Sequence, residues 1–389
     1  MSSVNFLEKL LDGADVEWMP LGEVLVRTKG TQITAAKMKQ LHKDGAPLKV
    51  FAGGKTIAYV NFEDIPSKDI NRKPSIIVKS RGNIEFEYYD KPFSHKNEMW
   101  SYHANDDNIK IKYVYYFLKL NEPYFQMIGG KMQMPQIATP DTDKFSIPIP
   151  CPENPKKSLA IQTEIVCILD SFTELNAELN AELTARKKQY NHYRAKLLSF
   201  EGGEMEWKSL GELAENLDSM RKPITSGLRD AGNIPYYGAS GIVDYVKDYI
   251  FDGDFLLVSE DGANLLARNT PIAFSISGKS WVNNHVHVLK FDTYVERKYV
   301  EHYLNSIDLA PYISGAAQPK LNKKSLESIN IPNPVYEEKS RIVTVLDTFD
   351  ALTNSISEGL PRELALRQKQ YEYYRDMLFS FPKPQEVAE

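Results

Sequence analysis

The chain has 389 residues, 42% hydrophobic and 25% charged, with a formal net charge of −5. That leaves room for two domains with cores of their own, in ordinary globular proportions. Two cysteines, Cys151 and Cys167, without a Cys-x-x-Cys or a histidine-rich partner, exclude a disulfide framework and a zinc site. Met1 to Lys9 has no signal pattern and no run of 18 apolar residues occurs, so the sequence reads as cytoplasmic, neither exported nor membrane-spanning.

In chain order, the sequence is written twice. Lys9-Leu10-Leu11 followed by Val16-Glu17-Trp18 returns as Lys196-Leu197-Leu198 followed by Met205-Glu206-Trp207, and Trp18-Met19-Pro20-Leu21-Gly22-Glu23 returns as Trp207-Lys208-Ser209-Leu210-Gly211-Glu212. The chain thus opens in the phase in which a repeat closes, which predicts a cyclic order of domain, helix, domain, helix. Residues 1–157 form the first domain, mixed α/β. Its β-rich run Ser75–Lys79 enters a glycine turn, Ser80-Arg81-Gly82-Asn83, and it closes on Ile147-Pro148-Ile149-Pro150.

Residues 158–200 read as one long helix of about 60 Å. Ile165, Ile168, Phe172, Leu175 and Leu179, then Leu183, Tyr190, Tyr193 and Leu197, trace a coiled-coil seam. A tandem tetrapeptide, Asn176-Ala177-Glu178-Leu179-Asn180-Ala181-Glu182-Leu183, sits on that seam as a length-setting spacer of about one turn per copy.

The second domain, 201–338, repeats the plan. Phe255–Ser259 enters Glu260-Asp261-Gly262-Ala263, and the region closes on Ile329-Asn330-Ile331-Pro332. The second helix, 339–381, carries the seam Ile342, Val345, Phe349, Leu352, Ile356, Leu364, Tyr371, Tyr374 and Leu378 before a tail at 382–389. Its offset from the first copy rises from 177 to 181, so four residues are inserted near Ser357-Glu358-Gly359-Leu360-Pro361, which predicts a kink or short break. Between these landmarks the domains barely resemble each other: a shared scaffold carries two different recognition surfaces.

Signals for catalysis are weak. Gly54-Lys55-Thr56 lacks the earlier glycine of a phosphate loop, since position 49 is Lys49. Asn121-Glu122-Pro123-Tyr124 lacks the double proline of the adenine-methyltransferase motif. His285 and His287 can face one side of a strand but have no third ligand, and read as polar surface. No Gly-x-Ser-x-Gly elbow occurs. The chain reads as a binding protein with no catalytic or metal residues. An internal two-fold suits a ligand with approximate two-fold symmetry, and duplex DNA is the commonest one. Against that, residues 1–157 hold 22 Lys/Arg and 19 Asp/Glu, and residues 201–338 hold 13 and 20, so other subunits must supply much of any phosphate contact.

The repeated helices, with Leu169-Asp170-Ser171-Phe172-Thr173-Glu174-Leu175, Arg186-Lys187-Lys188-Gln189-Tyr190-Asn191-His192-Tyr193-Arg194 and Ser355-Ile356-Ser357-Glu358-Gly359-Leu360-Pro361, resemble the specificity subunit of type I restriction–modification enzymes. The IC-type branch is closest, through its tandem tetrapeptides. The resemblance implies an α+β chain in which two target-recognition domains are joined by two long antiparallel coiled-coil helices with an internal pseudo-two-fold. Each domain would read half of a bipartite, asymmetric DNA site. The helices would set the spacer and dock two adenine-N6 methyltransferase subunits, through which restriction subunits join; S-adenosylmethionine, ATP and Mg belong to those partners and this chain needs no cofactor.

Candidate DNA contacts are Arg, Lys, Asn, Gln, Ser or Tyr near turns: Lys79, Arg81, Lys131, Gln133 and Gln136 in the first domain, and Arg221, Lys222, Tyr237, Ser240, Lys279, Asn283, Gln318 and Lys320 in the second. Candidate methyltransferase anchors are Tyr190, Tyr193, Arg194, Tyr371, Tyr374 and Arg375, whose alternative role is packing of the coiled coil. The competing reading is a non-DNA scaffold with two modules and a coiled-coil spacer.

Overall fold

A computed structural model describes residues 6–130, 133–200, 205–268, 270–315, 318–355 and 357–382. The chain divides into two compact units, Met1–Glu178 with Leu364–Glu389, and Leu179–Glu363. The division runs through the long helices, not at their ends, because each helix half packs under one of the two mixed α/β domains.

In the first unit, α1 (Phe6–Leu11) leads into β1 (Val16–Pro20), α2 (Leu21–Val24) and β2 (Leu25–Lys29). After α3 (Ala35–Leu41) come β3 (Leu48–Phe51), β4 (Ile57–Val60), β5 (Ser75–Lys79), β6 (Glu85–Tyr89), β7 (Phe93–His95) and β8 (Trp100–Ala104). Helices α4 (Ile111–Leu120), α5 (Glu122–Gly129) and α6 (Thr139–Asp143) precede β9 (Ser146–Pro150). One antiparallel sheet runs β2-β8-β5-β6; a second runs β4-β3-β7, with β3 and β7 parallel. Helix α7 (Pro155–Leu197) follows and continues into the second unit.

The second unit repeats this topology. It holds β10 (Trp207–Ser209), α8 (Leu210–Leu213), β11 (Glu215–Asn216), β12 (Ala231–Gly238), β13 (Gly241–Val246), β14 (Phe251–Ser259), α9 (Asn264–Ala267), β15 (Ala273–Val282), β16 (Val286–Lys290), α10 (Tyr294–Ser306), α11 (Lys323–Glu327) and β17 (Asn330–Pro332). Its sheet order is β11-β16-β14-β15-β12-β13, with β12 and the end of β15 parallel. The first four strands correspond to β2-β8-β5-β6, the end of β15 takes the place of β7, and β12-β13 correspond to β3-β4. Two domains of dissimilar sequence therefore share one strand plan.

The duplicated Trp-x-x-Leu-Gly-Glu has a physical reason. Strand β1 pairs antiparallel with β9 and β10 with β17, setting Trp18 opposite Pro148 and Trp207 opposite Pro332. Leu21 and Leu210 are buried, and their N–H groups donate to Phe145 and Ile329 carbonyls, both at 2.9 Å. At the glycine, a Cβ would lie 3.2 Å from the Cβ of Asp143 or of Glu327, so any side chain there would push α6 or α11 away by a few tenths of an ångström. Tyr113 and Tyr299 complete the match, donating to the Pro148 and Pro332 carbonyls at 2.8 and 3.0 Å.

Helix α7 runs 43 residues, about 64 Å. It begins three residues before Ser158 because Pro155, which has no N–H to satisfy, fits its first turn. The second long helix is interrupted, as the inserted residues predict: α12 (Tyr336–Asn354) stops, and α13 (Gly359–Leu378) restarts. Gly359 has φ +70°, and a side chain there would strike the Ala351 and Leu352 carbonyls. Ile356 lies outside the described residues.

The helices bury more than a narrow seam. Ile161, Ile165 and Leu169 of α7 enter the first domain's core, while Ile342, Val343 and Leu346 of α12 enter the second's. A matching polar anchor accompanies each. Asp170 accepts from Tyr116 Oη at 2.5 Å and Lys112 Nζ at 2.7 Å; Asp347 accepts from Tyr294 Oη at 2.7 Å and bonds His302 Nε2 at 2.9 Å, with Lys298 Nζ at 3.7 Å. The Leu-Asp-Ser/Thr-Phe repeat thus ties each long helix to α4 or α10. In the first unit Leu7 and Leu11 share a core with Leu378, Phe379 and Phe381, and the Trp18 indole donates to the Pro382 carbonyl at 2.8 Å, so α1 and the residues at the end of the second long helix meet as the cyclic order predicts. No helix among the described residues is long and apolar enough to cross a membrane.

Candidate nucleic-acid interface

At one end of each unit, turns from separate elements are locked together by equivalent backbone bonds. In the first unit the Gly82 N–H donates to the Pro135 carbonyl at 2.8 Å, and the Ile137 N–H to Ser80 at 3.0 Å. In the second the Gly262 N–H donates to Pro319 at 3.2 Å, and the Leu321 N–H to Glu260 at 2.8 Å. The bridge Arg81–Gln136 matches Asp261–Lys320. Positive φ at Gly82 (+78°) and Gly262 (+103°) lets both strands turn sharply there. The Ser259 hydroxyl donates to the Ala239 carbonyl at 2.6 Å, bringing the β12–β13 turn with Ser240 to the same end. The Lys96 N–H donates to Phe51, and the Ser80 hydroxyl to Glu98, which bring the β3–β4 turn to the first unit's tip. Gly54-Lys55-Thr56 is therefore an exposed hairpin turn, with Lys55 in solvent.

The tips treat the candidate residues unequally. Arg81 and Gln136 are exposed and joined, with the guanidinium Nε and NH2 donating to Gln136 Oε1 at 3.1 and 2.9 Å. Gln133 is exposed beside them, and Lys131 lies outside the described residues. Lys79 is buried, 2.5 Å from Glu85 and 2.8 Å from Glu87; burial works against its charge, but the two carboxylates outweigh this and raise its pKa. It braces the sheet.

In the second unit Gln318, Lys320, Ser240 and Lys222 are exposed at or near the tip, and Tyr237 packs half-buried against Phe274. Asn283 is buried and uses its Oδ1 to accept from the His285 N–H at 2.8 Å. Lys279 is exposed on β15, over the Tyr249 ring at 4.4 Å. Arg221 is largely covered: its guanidinium reaches Glu260 at 2.7 Å and Asp218 at 3.3 Å.

That pairing belongs to a buried network that sequence reading did not reveal. His287 is 1% exposed, contrary to its reading as polar surface; Nδ1 faces Asp218 at 2.6 Å and Nε2 the Leu321 carbonyl at 2.7 Å. Burial opposes ionisation of Asp218, but the bonds from His287 and Val288 and the Arg221 charge hold its pKa below the ordinary value; Arg221, His287 and Lys320 do the same for Glu260. Asp218, Glu260 and His287 offer ligand atoms within 4.8 Å of one another. The Arg221 guanidinium bridges both carboxylates, Lys320 Nζ brings a second positive charge to Glu260 at 3.1 Å, and both imidazole nitrogens face acceptors, so the set is a charge-compensated brace rather than a cation cage. It fastens the turns at 260–263 and 318–321 to β16.

On the helices the anchor candidates form two matching clusters. In the first unit Phe172 stacks on Tyr374 at 5.4 Å and meets Tyr371 at 6.4 Å, with the Arg375 guanidinium 5.7 Å from the Tyr371 ring. In the second, Phe349 stacks on Tyr193 at 5.6 Å and Tyr190 at 6.1 Å, with Arg194 at 5.3 Å from the Tyr190 ring. These tyrosines pack the helix pairs. Beside each cluster lies a cleft: about 430 Å³ lined by Lys112, Tyr116, Asp170 and Tyr371 in the first unit, and about 880 Å³ lined by Tyr190, Arg194, His302 and Asp350 in the second.

Comparison with known proteins agrees with this duplication. The family profile described as "Type I restriction modification DNA specificity domain" matches twice, at residues 14–185 and 203–366. The chain is similar to the type I restriction enzyme EcoR124I/EcoR124II specificity subunit of Escherichia coli, 39% identical over 415 aligned positions that cover 100% of both chains. It is also similar to the EcoprrI specificity subunit of Escherichia coli, at 32% identity over 92% of this chain and 93% of that one. In fold it is similar to the crystal structure of the S subunit of a type I restriction–modification system from M. genitalium, with a TM-score of 0.65 and 18% identity over 96% and 98% of the two chains. The chain belongs to the family of type I restriction–modification DNA specificity subunits.

Proposed function

We propose that each unit reads one half of a bipartite, asymmetric DNA site through its tip, and that the long helices set the number of unread base pairs between the halves. The observation that carries this reading is the pairing of one strand plan with two different tips, joined by a single 43-residue helix. A duplicated frame with unlike side chains suits two unlike half-sites. The chain acts as the non-catalytic recognition subunit of a complex. Two adenine-N6 methyltransferase subunits dock on the helices, one beside each Phe–Tyr–Arg cluster, and restriction subunits join through them. The acidic second domain fits such a complex, because the methyltransferases share the grip on phosphates.

The test is a DNA-shift and methylation assay with the cognate methyltransferase subunits in the cytoplasmic complex. Site-specific retardation and adenine methylation at two half-sites are expected. A scaffold of two non-DNA modules predicts neither.

A further inference from the structure

We propose that the Asp261–His285 pair is a specificity-determining element of the second unit, contacting the amino group of a cytosine or adenine in the major groove. This rests on the DNA-reading function above.

The place of the pair in the duplicated frame carries the inference. Asp261 stands at the position that Arg81 holds in the first unit, between the same backbone bonds and opposite the same neighbour, Lys320 for Gln136. At that one position the chemistry presented outward is reversed, while Lys320, like Gln136, remains a donor beside it. Arg81 spends its Nε and NH2 on Gln136 Oε1, so its remaining N–H groups and the Gln136 amide NH2 are all donors. Donors match the N7 and O6 acceptors of guanine. In the second unit Asp261 Oδ2 binds His285 Nδ1 at 2.7 Å. With the proton on Nδ1, Asp261 Oδ1 and His285 Nε2 are both acceptors, which suit an exocyclic amino group and meet the acceptors of guanine or thymine with repulsion.

The pair is also preorganised. Asn283 holds the His285 backbone, the Glu260 N–H donates to the His285 carbonyl at 2.9 Å, and the buried brace of Arg221, Asp218 and His287 lies directly beneath. Both side chains line an open cleft of about 380 Å³ with Gln318 and Pro319. A carboxylate so placed on a DNA-facing tip is repelled by phosphates unless it finds a donor, so its contribution is to choose among bases and not to add grip.

The experiment maps methylated sites in cells making the partner subunits with wild-type, Asp261→Ala, Asp261→Asn or His285→Ala chains. Asp261→Ala is expected to lower discrimination at one base pair of the half-site controlled by the second unit by about tenfold or more, leaving the other half-site intact. Asp261→Asn can keep the bond to His285 while turning a donor outward, and is expected to change the preferred base there; it also serves if the alanine chain fails to assemble. Unaltered discrimination in an assembled Asp261→Asn or Asp261→Ala complex overturns the proposal while leaving the DNA-reading function standing. Absence of site-specific methylation by the wild-type complex overturns both.

Discussion

Deleting Asn180–Leu183 from α7 shortens a continuous helix by one copy of the tetrapeptide. The segment lies just past the division between the units, and only Leu183 among its residues is even half-buried, so no domain core is opened. Four residues remove about 6 Å of rise and about 400° of rotation, a full turn plus roughly 40°. Duplex DNA advances about 3.4 Å per base pair and turns about 35° per base pair. The residual rotation matches one base pair and the translation is just under two, so the unread spacer is expected to shorten by one. Leu175 and Leu179 remain in phase with Tyr190 to within those 40°, so the variant should fold and assemble. Methylation mapping of the variant complex reads the spacer directly. An unchanged spacer in an active enzyme would refute the helix as the ruler.

Other perturbations follow from the packing. Replacing Asp347 with Ala removes the acceptor for Tyr294 and His302 and should lower stability by about 1.5–3 kcal/mol, seen as an earlier urea midpoint of the second unit; Asp170→Ala should do the same to the first. Leu210→Ala, at a fully buried site beneath β10 and β17, should cost about 2–5 kcal/mol in the same assay. Acidification should weaken the second unit through Asp218, Glu260 and Asp347. Burial disfavours their charge, but their partners win and hold all three pKa values low, so the stabilisation is complete above the ordinary carboxylate range and fades as pH falls below it. In the first unit, burial lowers the pKa of His95, so stability there should begin to fall as pH drops below about 6.5 and His95→Gln should flatten that part of the curve. Circular dichroism against pH checks both.

The sequence carried the frame of this molecule well. Ser75–Lys79 is a strand with the expected bounds, the Trp-x-x-Leu-Gly-Glu motifs pair with the proline-punctuated strands, and the second helix breaks where four residues are inserted. The shared sheet order was not legible, because β3∥β7 and β12∥β15 join strands separated by long crossovers whose residues differ between the units. The tips were half legible. Basic and amide side chains near glycine turns led to Arg81, Gln136, Gln318 and Lys320, which the fold leaves exposed at the tips. The same signal selected Lys79 and Arg221, which the fold turns inward to meet carboxylates distant in sequence or across a tight turn. Asp261 was passed over because an acidic residue is a poor phosphate ligand, His285 was read only as polar surface, and their pairing exists only after β14 and β16 lie side by side.

The claim that two independent readers share one chain is tested most directly by replacing residues 18–157 with the corresponding region of a relative and mapping methylation in cells that supply the partner subunits. The account predicts that one half-site changes to the relative's, while the other half-site and the spacer stay as they were. Simultaneous change of both half-sites, in an assembled and active complex, would contradict it.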